Sequence, residues 1–500
     1  TMDILTAIII VVLLFLGWWY VLLKPKSGLP PGLPRLPILG SLPFLNANDL
    51  LGSFLELRKK FGDVFTVYMA NRPVVYLNSY GSIKEALVQK GENFMHRPYI
   101  YMLTEALSDE GKNSFASSSG TEHKTIRHFS QKVLIRQFGF GTKKFQDKII
   151  EELQAMFAEM DKNCGKPYDT IDLLGMSMSN MVNIVLYGKR MEYTDTLFLG
   201  VIQNLQKACR DMNAGQMLNI YPWLNQMPWY NQVKENMSLR KQDQKQFLAQ
   251  MLERHANGDD DVKDSFMQAW LDKINLERNS ETPEPVFNEV QMRLVMNDLF
   301  SGGAETSKSI IYFLLAYMLH YPQLQARIQD SIRQHIGETE PPTMEHRNKC
   351  VLAEATILEV LRCHPPLPLA VPHTNHHDDT INGYYIPANT MVMPNLHAAH
   401  HDEKYWENPS EFKPERFIDA DGQIDKVKST HLVVFSMGKR VCPGEALARM
   451  ELFLTFTALL QRYTFTLPPG EKLPSLKVTL GLTLSIPPYK ICATRNKVQE

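Results

Sequence analysis

The residues with the most distinctive chemical potential lie in one ten-residue segment, FSMGKRVCPG at 435–444. Gly438 and Gly444 bracket a tight loop, and their missing side chains let the backbone pass close to a flat or bulky group. Between them stands Cys442, whose sulfur becomes a soft metal ligand once it is deprotonated. The pattern therefore predicts a metal-binding thiolate beside a site for a bulky partner.

The sequence around Cys442 also offers ways to stabilise a negative charge on sulfur. Pro443 can open a helix, and a helix N-terminus carries partial positive charge and free N–H groups. Because proline has no N–H, the amides of Gly444 and Glu445 are the expected donors, and Arg440 is the expected cation. The alternative is a small buried hydrophobic residue, the usual fate of an isolated cysteine, but it does not explain the flanking glycines, arginine and phenylalanine.

A second unusual segment lies in the longest predicted helix, at 288–320. Its middle contains the adjacent glycines Gly302 and Gly303, followed by Glu305 and Thr306. Each glycine costs about 1 kcal/mol relative to alanine inside a helix, so a purely structural helix has little use for two. Their missing side chains let a flat ligand approach, and Thr306 can loosen the helix by bonding a carbonyl one turn back. A close crossing of two helices at small residues is the alternative.

The spacing FxxGxRxCxG resembles the haem-binding signature of the cytochrome P-450 enzymes, with Cys442 at the position of the axial thiolate. Two other motifs agree in order and spacing. Glu359 and Arg362 are similar to the family's ExxR pair, and Arg416 belongs to a PERF sequence that the family places beside that pair. An isolated ExxR sequence is common on solvated helices, so its weight comes from its distance to Cys442. The resemblance covers nearly the whole chain and is closest to microsomal animal enzymes of the second clan.

This resemblance implies a mainly α fold with small β-sheets, in which a single haem-thiolate domain follows one N-terminal transmembrane helix. It also implies haem b as the cofactor, buried between the helix that contains Gly302 and Gly303 and the loop that contains Cys442. Cys442 is then the axial ligand of the iron, and Phe435 and Gly444 belong with the two helix glycines to the cofactor-binding set.

Haem propionates require cations or hydrogen-bond donors, and the resemblance assigns this role to several side chains. They are Arg97, His123, Arg127, His373 and Arg440. The chain departs from the family at one of them, because the family usually has WxxxR where this chain has HKTIR at 123–127. A histidine can still donate a hydrogen bond, so His123 remains a candidate.

The implied activity is NADPH- and O2-dependent monooxygenation, the hydroxylation or epoxidation of a small lipophilic substrate such as a steroid, a fatty acid or a xenobiotic. Thiolate ligation of haem iron favours cleavage of the O–O bond. The resemblance gives Thr306 and Glu305 catalytic roles in proton delivery. Because the chain has no flavin or nicotinamide motif, electrons are expected from a separate NADPH–cytochrome reductase, with cytochrome b5 as a further candidate partner.

Two other functions compete with this prediction. A haem-thiolate isomerase or dehydratase would keep Cys442 but has no need of an acid–alcohol pair such as Glu305 and Thr306. A haem sensor or carrier would keep the ligand loop but would need no external reductase. The carbon monoxide difference spectrum and NADPH consumption with purified reductase separate these functions from an oxygenase.

The N-terminal residues 1–24 predict a membrane anchor. Residues 4–23 carry no charge and would span about 30 Å as a helix, which matches a bilayer core. An aromatic cluster at 18–20 and the lysines that follow it suit a membrane interface with the rest of the chain in the cytosol. The expected location is therefore the endoplasmic reticulum membrane, with the catalytic domain on the cytosolic side. A buried core helix is the alternative.

Composition and proline content define the rest of the organisation. Six prolines at 25–44 predict a stiff linker, which leaves 45–500 as the haem-thiolate domain. A content of 44% hydrophobic and 21% charged residues excludes an extended disordered chain. A formal net charge of −1 gives no global attraction for nucleic acid. Six cysteines without CxxC spacing exclude a disulfide scaffold or a zinc site and predict reduced thiols.

The elements that must position these residues can be predicted coarsely. β-branched and aromatic runs predict a hairpin over 64–77, and amphipathic patterns predict mostly helices from 80 to 365. Strands are predicted at 380–387, with an Asn-Gly turn, and at 390–394, and a last hairpin at 476–493.

Two further interpretations concern the surface and the substrate. The histidine pairs at 376–377 and 400–401 have no metal-like context and are interpreted as surface residues. By resemblance, the substrate pocket is apolar, and the side chains expected in it are Leu299, Phe300, Leu369, Val371, Leu482 and Leu484.

Overall fold

The computed structural model describes residues 28–139, 142–257, 264–280, 286–481 and 483–497, together with positions 6, 10, 13 and 17. The predicted membrane helix at 4–23 lies outside the described residues except at those four positions. Within the described part of the chain, no helix is both long enough and apolar enough to cross a membrane.

The predicted mainly α fold with small sheets is confirmed. The helices before residue 257 are α1 (Leu50–Phe61), α2 (Tyr80–Lys84), α3 (Gly91–Phe94), α4 (Tyr101–Leu107), α5 (Gly120–Lys132), α6 (Lys143–Asp161), α7 (Ile171–Tyr187), α8 (Thr196–Ala214), α9 (Gln216–Ile220) and α10 (Asn231–Ala256). The later helices are α11 (Phe266–Arg278), α12 (Glu289–His320), α13 (Pro322–His335), α14 (Val351–Cys363), α15 (Leu396–His400), α16 (Lys426–His431) and α17 (Glu445–Arg462).

The strands are short and form small sheets. They are β1 (Val64–Met69), β2 (Arg72–Leu77), β3 (Pro167–Tyr168), β4 (His373–Thr374), β5 (Asp379–Ile381), β6 (Tyr384–Ile386), β7 (Met391–Pro394), β8 (Tyr463–Thr466), β9 (Thr479–Leu480), β10 (Leu484–Ser485) and β11 (Ile491–Arg495). The largest sheet has the order β1-β2-β7-β4, with β1 and β2 forming the predicted hairpin and β7 running parallel to β2. The predicted turn between β5 and β6 is also present, because Asn382 and Gly383 both adopt positive φ, at 48° and 78°.

The C-terminal hairpin differs from the prediction. Only β9 and β10 pair as a hairpin, whereas β11 leaves them and pairs with β8 and β3. Pro487 and Pro488 lie between β10 and β11. Since proline cannot donate to a sheet ladder, the two residues end the pairing there and release β11 to a different sheet.

The described part of the Pro-rich segment, 28–44, packs onto the folded domain. Leu33 donates its backbone N–H to the carbonyl oxygen of Thr66 at 3.1 Å, and Ser41 donates its own to the carbonyl of Tyr68 at 2.7 Å. Leu29 and Leu33 are buried. These residues therefore belong to the domain that we expected to begin at residue 45, and they continue its first sheet.

The long helix α12 forms as predicted and supplies much of the core. The Asn288 side chain caps it by accepting the backbone N–H of Gln291 at 2.9 Å. Its C-terminal half is buried against α7 and α17. Each fully buried leucine or isoleucine contributes about 1.5–3 kcal/mol, so this half of the helix anchors the position of the preceding glycine-rich turn.

A buried ion cluster braces the chain beside α14. Two guanidinium nitrogens of Arg362 donate to Glu359, from Nε to Oε2 and from Nη2 to Oε1, at 2.8 Å each, and Nε of Arg416 donates to Oε1 of Glu359 at 2.9 Å. The two arginines also donate to backbone carbonyls at 400 and within 407–411. The predicted pairing is confirmed, and it fixes a loop without regular structure onto a helix.

The interpretation of His400 as a surface residue is wrong. His400 is fully buried, and its Nε2 accepts the backbone N–H of Val433 at 3.0 Å. The ring therefore links the end of α15 to the segment that enters the Cys442 loop. His376 and His377 are exposed as predicted, and His401 is half-buried.

We expect Glu359→Gln to lower the free energy of unfolding by about 3–5 kcal/mol, because it leaves two buried guanidinium groups without a counter-charge. Urea unfolding followed by circular dichroism measures the loss. The matched control is Glu415→Gln, which breaks the exposed pair between Arg327 and Glu415 (2.8 Å) in the same segment and should cost about 0–1 kcal/mol. Equal losses in the two variants would contradict a bracing role for the cluster.

Candidate functional site

A cavity of about 330 Å³ lies between α12, the start of α17 and the loop at 435–444. The structure brings all of the predicted site residues except Glu305 to its wall. They are Arg97, His123, Arg127, Gly302, Gly303, Thr306, His373, Phe435, Arg440, Cys442 and Gly444.

The Cys442 thiol faces the cavity. The backbone N–H of Cys442 donates to the carbonyl of Phe435 at 2.9 Å, and this bond closes the loop. Helix α17 begins at Glu445 with Gly444 before it, so the helix starts two residues later than Pro443, where we expected it. Burial raises the pKa of Cys442, and hydrogen bonds from the N–H groups of Gly444 and Glu445 oppose this rise. A thiolate at this position therefore needs a bound cation such as a metal ion.

The two glycines of this loop serve different purposes. Gly438 has a φ of 73°, and a Cβ there would lie 1.8 Å from the carbonyl oxygen of Leu87. Glycine is thus required at 438 by the protein's own backbone and not by a ligand. A Cβ at Gly444 would lie 3.9 Å from the sulfur of Cys442, so the absence of a side chain leaves space beside the sulfur.

Arg440 is not the cation beside Cys442 that the sequence predicted. Its guanidinium turns away and donates to the carbonyls of Met95 at 2.8 Å and Ser118 at 2.5 Å. The positive charge that opposes the raised pKa of Cys442 belongs to Arg127. Arg127 also donates to the carbonyl of Val441 at 2.6 Å.

Arg97, Arg127 and Arg440 converge on one end of the cavity without an acidic partner. Arg97 donates to the carbonyls of Ala116, Val371 and Pro372 at 2.7–3.1 Å, and among the described residues no carboxylate lies within ion-pair distance of any of the three. Burial and mutual repulsion lower the pKa of Arg97 and Arg440, the latter to about 9. This end of the cavity is therefore suited to an anionic group.

Two neutral histidines extend this end of the cavity. Burial and the nearby arginines lower the pKa of His123 to about 3, and its Nδ1 is buried without a partner among the described residues. His373 Nδ1 lies 2.8 Å from the carbonyl of Phe94 and carries the proton, since a carbonyl only accepts. The other nitrogen of His373 can thus contact a carboxylate only when the ring is protonated, a state that a bound carboxylate itself favours.

The two glycines of α12 have different roles: one allows a ligand to approach, and the other allows two helices to cross closely. A Cβ at Gly302 meets nothing within 4 Å, so this position is open to the cavity. A Cβ at Gly303 would lie 2.7 Å from Cγ2 of Val182 on α7, so this glycine permits a close helix crossing. Thr306 donates its hydroxyl to the carbonyl of Gly302 at 2.7 Å, the predicted bond one turn back.

Glu305 does not line the cavity. Both of its carboxylate oxygens accept hydrogen bonds from Nζ of Lys308, at 2.7 and 2.6 Å. The acid of the predicted acid–alcohol pair is thus held on a face of α12 away from the cavity wall.

No role was predicted for two carboxyl groups of the cavity wall. Asp298 accepts the backbone N–H of Ala116 at 2.7 Å, and burial raises its pKa to about 6. Glu451 accepts the hydroxyl of Ser307 at 2.8 Å, and burial raises its pKa to about 8. A signal existed for Glu451, because it is a single acidic residue at the start of the apolar run that fills α17.

The apolar side chains expected around a substrate are only partly in this cavity. Leu299 and Val371 line it, whereas Phe300 lines a separate small cavity. Leu369 and Leu484 pack in the core, and Leu482 lies outside the described residues.

The cavity fits a haem. A flat macrocycle needs an open surface, which Gly302 provides. Its two carboxylates need cations or hydrogen-bond partners, which are provided by three guanidinium groups without a carboxylate partner among the described residues and by the neutral ring of His123. Its iron needs an axial ligand, and the Cys442 thiol faces the cavity with two amide donors behind it.

Comparison with known proteins agrees with this fit. A family model described as cytochrome P450 matches residues 30–493. The chain is similar to cytochrome P450 2C23 of Rattus norvegicus, with 32% identity over 474 residues that cover 94% of each chain. It is 33% identical to cytochrome P450 2B2 of the same species over 492 residues, which cover 97% of this chain and 99% of the relative. It is 31% identical to cytochrome P450 2U1 of Homo sapiens over 507 residues, covering 96% and 92%.

The match extends across the buried ion cluster, the cavity and the cysteine loop, and the relatives are covered almost end to end. The chain therefore belongs to the cytochrome P450 family, and it is a haem-thiolate monooxygenase.

Proposed function

We propose that this monooxygenase hydroxylates or epoxidises a small lipophilic substrate (a steroid, a fatty acid or a xenobiotic) with O2 and with electrons that originate from NADPH. The observation that carries the proposal is a single cavity that contains the cysteine thiol, a threonine hydroxyl and a largely apolar wall. Phe115, Leu299 and Val371 contribute to that wall. An apolar wall favours a lipophilic substrate through the hydrophobic effect.

We assign the cofactor-binding roles to residues of the cavity wall. Cys442 would hold the iron, Phe435 and Gly444 would complete the loop around it, and Gly302 and Gly303 would shape the opposite wall. Arg97, Arg127 and Arg440, with His123 and His373, would bind the two carboxylates. When bound, the haem supplies the oxygen-activating chemistry, which its thiolate ligand favours. The protein supplies ligation, protons and exclusion of water.

Thr306 and Glu305 are the proposed proton donors. The Thr306 hydroxyl lies at the cavity, where it donates to the carbonyl of Gly302 and retains lone pairs that can accept from a water molecule. Glu305 is adjacent in sequence but is bound to Lys308, so its participation requires release of that ion pair.

The electron donor is a separate protein in this proposal. The chain has no flavin or nicotinamide motif, so we assign electron delivery to an NADPH–cytochrome reductase, with cytochrome b5 as a further donor. The competing isomerase and sensor functions need no such partner. NADPH consumption by the purified enzyme with reductase therefore tests this part of the proposal.

We further propose that residues 4–23 anchor the protein in the endoplasmic reticulum membrane with the catalytic domain in the cytosol. The four described positions in that segment are helical, and Ile10 and Leu13 are 40% and 60% exposed. We assign a second apolar contact with the bilayer to Trp223 and Trp229, which are 59% and 68% exposed. Aromatic residues of this kind suit the membrane interface.

We expect Cys442→Ser to leave a folded protein without a thiolate-type carbon monoxide spectrum and without turnover, since a serine hydroxyl is not deprotonated at neutral pH. Difference spectroscopy and product analysis measure these two losses. The matched control is Cys164→Ser, which changes a cysteine outside the cavity wall and should keep both. Retention of the spectrum in Cys442→Ser would mean that another residue is the ligand.

We expect Thr306→Ala to keep the carbon monoxide spectrum and substrate binding but to divert electrons to hydrogen peroxide. Product per NADPH should fall roughly tenfold or more, because a positioned proton donor is lost, while NADPH oxidation changes little. Product, peroxide and NADPH are measured in one reconstituted assay. Thr356→Ala is the control, because its hydroxyl makes the same bond one turn back, to Leu352 at 2.7 Å, on α14. An unchanged coupling ratio in Thr306→Ala would make Thr306 a helix residue only.

We expect deletion of residues 2–23 to weaken membrane association while haem binding is kept. Release should be incomplete, because the exposed tryptophans remain, and should become complete when Trp223→Ser and Trp229→Ser are added. Flotation with vesicles at low and high salt measures association. Unchanged resistance of the deletion variant to high-salt extraction would refute a dominant role for the segment.

A further inference from the structure

The rings of Phe115 and His123 stack on each other in the wall of the large cavity. Their centroids are 5.5 Å apart and their planes differ by 18°, which is within the range of offset-stacked aromatic pairs. Phe115 is 7% exposed and His123 is 1% exposed, and both line the cavity. The stack therefore joins the end of the cavity that suits an anionic group to the apolar wall.

Packing restrains the imidazole of His123 on this side of the cavity. Its Nδ1 is buried without a partner among the described residues. Burial and three nearby guanidinium groups lower the pKa of His123 to about 3, so the ring is uncharged near neutral pH. An uncharged imidazole can lie flat on an apolar ring without giving up the hydration of a cation. The contact with Phe115 thus orients the ring without burying a charge.

The backbone that carries Phe115 is tied to two other parts of the cavity wall. The N–H of Ala116 donates to Asp298 on α12 at 2.7 Å, and the carbonyl of Ala116 accepts from Nε of Arg97 at 3.1 Å. Movement of Phe115 away from the cavity would break these bonds, and a buried polar group left without a partner is costly. The position of the phenyl ring is therefore fixed by the backbone as well as by the stack.

The residue types of this pair matter because the chain departs from its family at 123. The family usually has tryptophan where this chain has histidine, and an indole is larger than an imidazole by one fused benzene ring. Protein interiors are close-packed and leave few voids larger than a water molecule. A smaller side chain at 123 thus requires a neighbour that fills the space, and the aromatic ring in contact with the imidazole is that of Phe115.

We propose that the Phe115–His123 stack is a specificity determinant: it fills the space of the family's tryptophan and presents Phe115 to the substrate as a fixed aromatic surface. The inference rests on the proposed function, in which a small lipophilic substrate binds in this cavity. Because His123 covers one face of Phe115, the opposite face and the ring edge remain for a ligand. Aromatic rings pack well on both. The substrate class that this wall favours is therefore a planar aromatic compound over its saturated counterpart.

The first test compares two ligands with the same carbon skeleton, planar naphthalene and puckered decalin. Their dissociation constants are measured by the shift of the haem Soret band, which needs no turnover. Phe115→Leu should change the ratio of the two constants about twofold to tenfold against naphthalene, because one aromatic pair is lost. Phe129→Leu is the matched control and should keep the ratio, because Phe129 lies on α5 outside the cavity wall, in edge contact with Trp270.

The second test measures the contact between the two rings. His123→Trp restores the family's residue but adds a ring to space that Phe115 fills, so it should lower the melting temperature of the holoenzyme. Phe115→Ala makes room for the indole, so the double variant should lose much less than the sum of the two single losses. The control combines His123→Trp with Phe157→Ala, which removes a ring that packs on Tyr463, and its losses should add. The carbon monoxide spectrum verifies that each variant contains haem.

The outcomes separate the inference from the proposed function. An unchanged ratio of dissociation constants in Phe115→Leu would overturn the inference, and so would additive losses of melting temperature in His123→Trp/Phe115→Ala. Neither result contradicts the proposed function, because a lipophilic substrate can still bind and be oxidised. If neither ligand shifts the Soret band and the enzyme forms no product from lipophilic compounds with reductase, the proposed function fails, and the inference fails with it.

Discussion

Positive charge without a carboxylate partner is the constraint on which this cavity depends. Arg97, Arg127 and Arg440 are brought out of water beside one another, and among the described residues their hydrogen-bond partners are backbone carbonyls. Burial of like charges is costly, so the arrangement is complete only with a bound anion. Because a ligand that binds only the folded state stabilises it, haem binding and folding are coupled here. The same guanidinium groups tie together loops that are far apart in sequence.

In a second buried charge cluster, a carboxylate of the protein itself partly neutralises the arginines. Glu359 accepts from both Arg362 and Arg416, and the remaining donors of these arginines hold the 407–411 loop. This loop precedes the cysteine segment, and His400 joins α15 to the entry of that segment at Val433. The cluster therefore positions the thiol indirectly, by giving rigid partners to backbone that has no regular secondary structure.

Helix α12 has a C-terminal half that packs in the core and, before it, a turn that lines the cavity. Its buried C-terminal half fixes it against α7 and α17, which allows the turn before it to carry residues that weaken a helix. Within that turn, Gly302 opens to the cavity, Gly303 permits contact with α7, and Thr306 draws the Gly302 carbonyl to its hydroxyl. The ion pair of Lys308 adds a charged restraint to the same turn. Residues that pack against α7 and residues that line the cavity thus share a stretch of two helical turns.

Features that depend on spacing along the chain were predictable from the sequence. The β1–β2 hairpin, the Asn288 cap and the Glu359–Arg362 pair follow from local patterns, and the residues of the cavity wall follow from motifs that resemble a known family.

The direction in which a charged side chain points, and the partner that it binds, were not predictable in the same way. Arg440 turns to Met95 and Ser118 instead of Cys442, and Glu305 turns to Lys308 instead of Thr306. The i,i+3 spacing of Glu305 and Lys308 is visible in the sequence, but only the fold buries the pair and leaves the side chains of Lys308 and Glu305 7% and 12% exposed. A long polar side chain has several partners within reach, and the partner that compensates its buried charge is decided by packing between elements far apart in sequence.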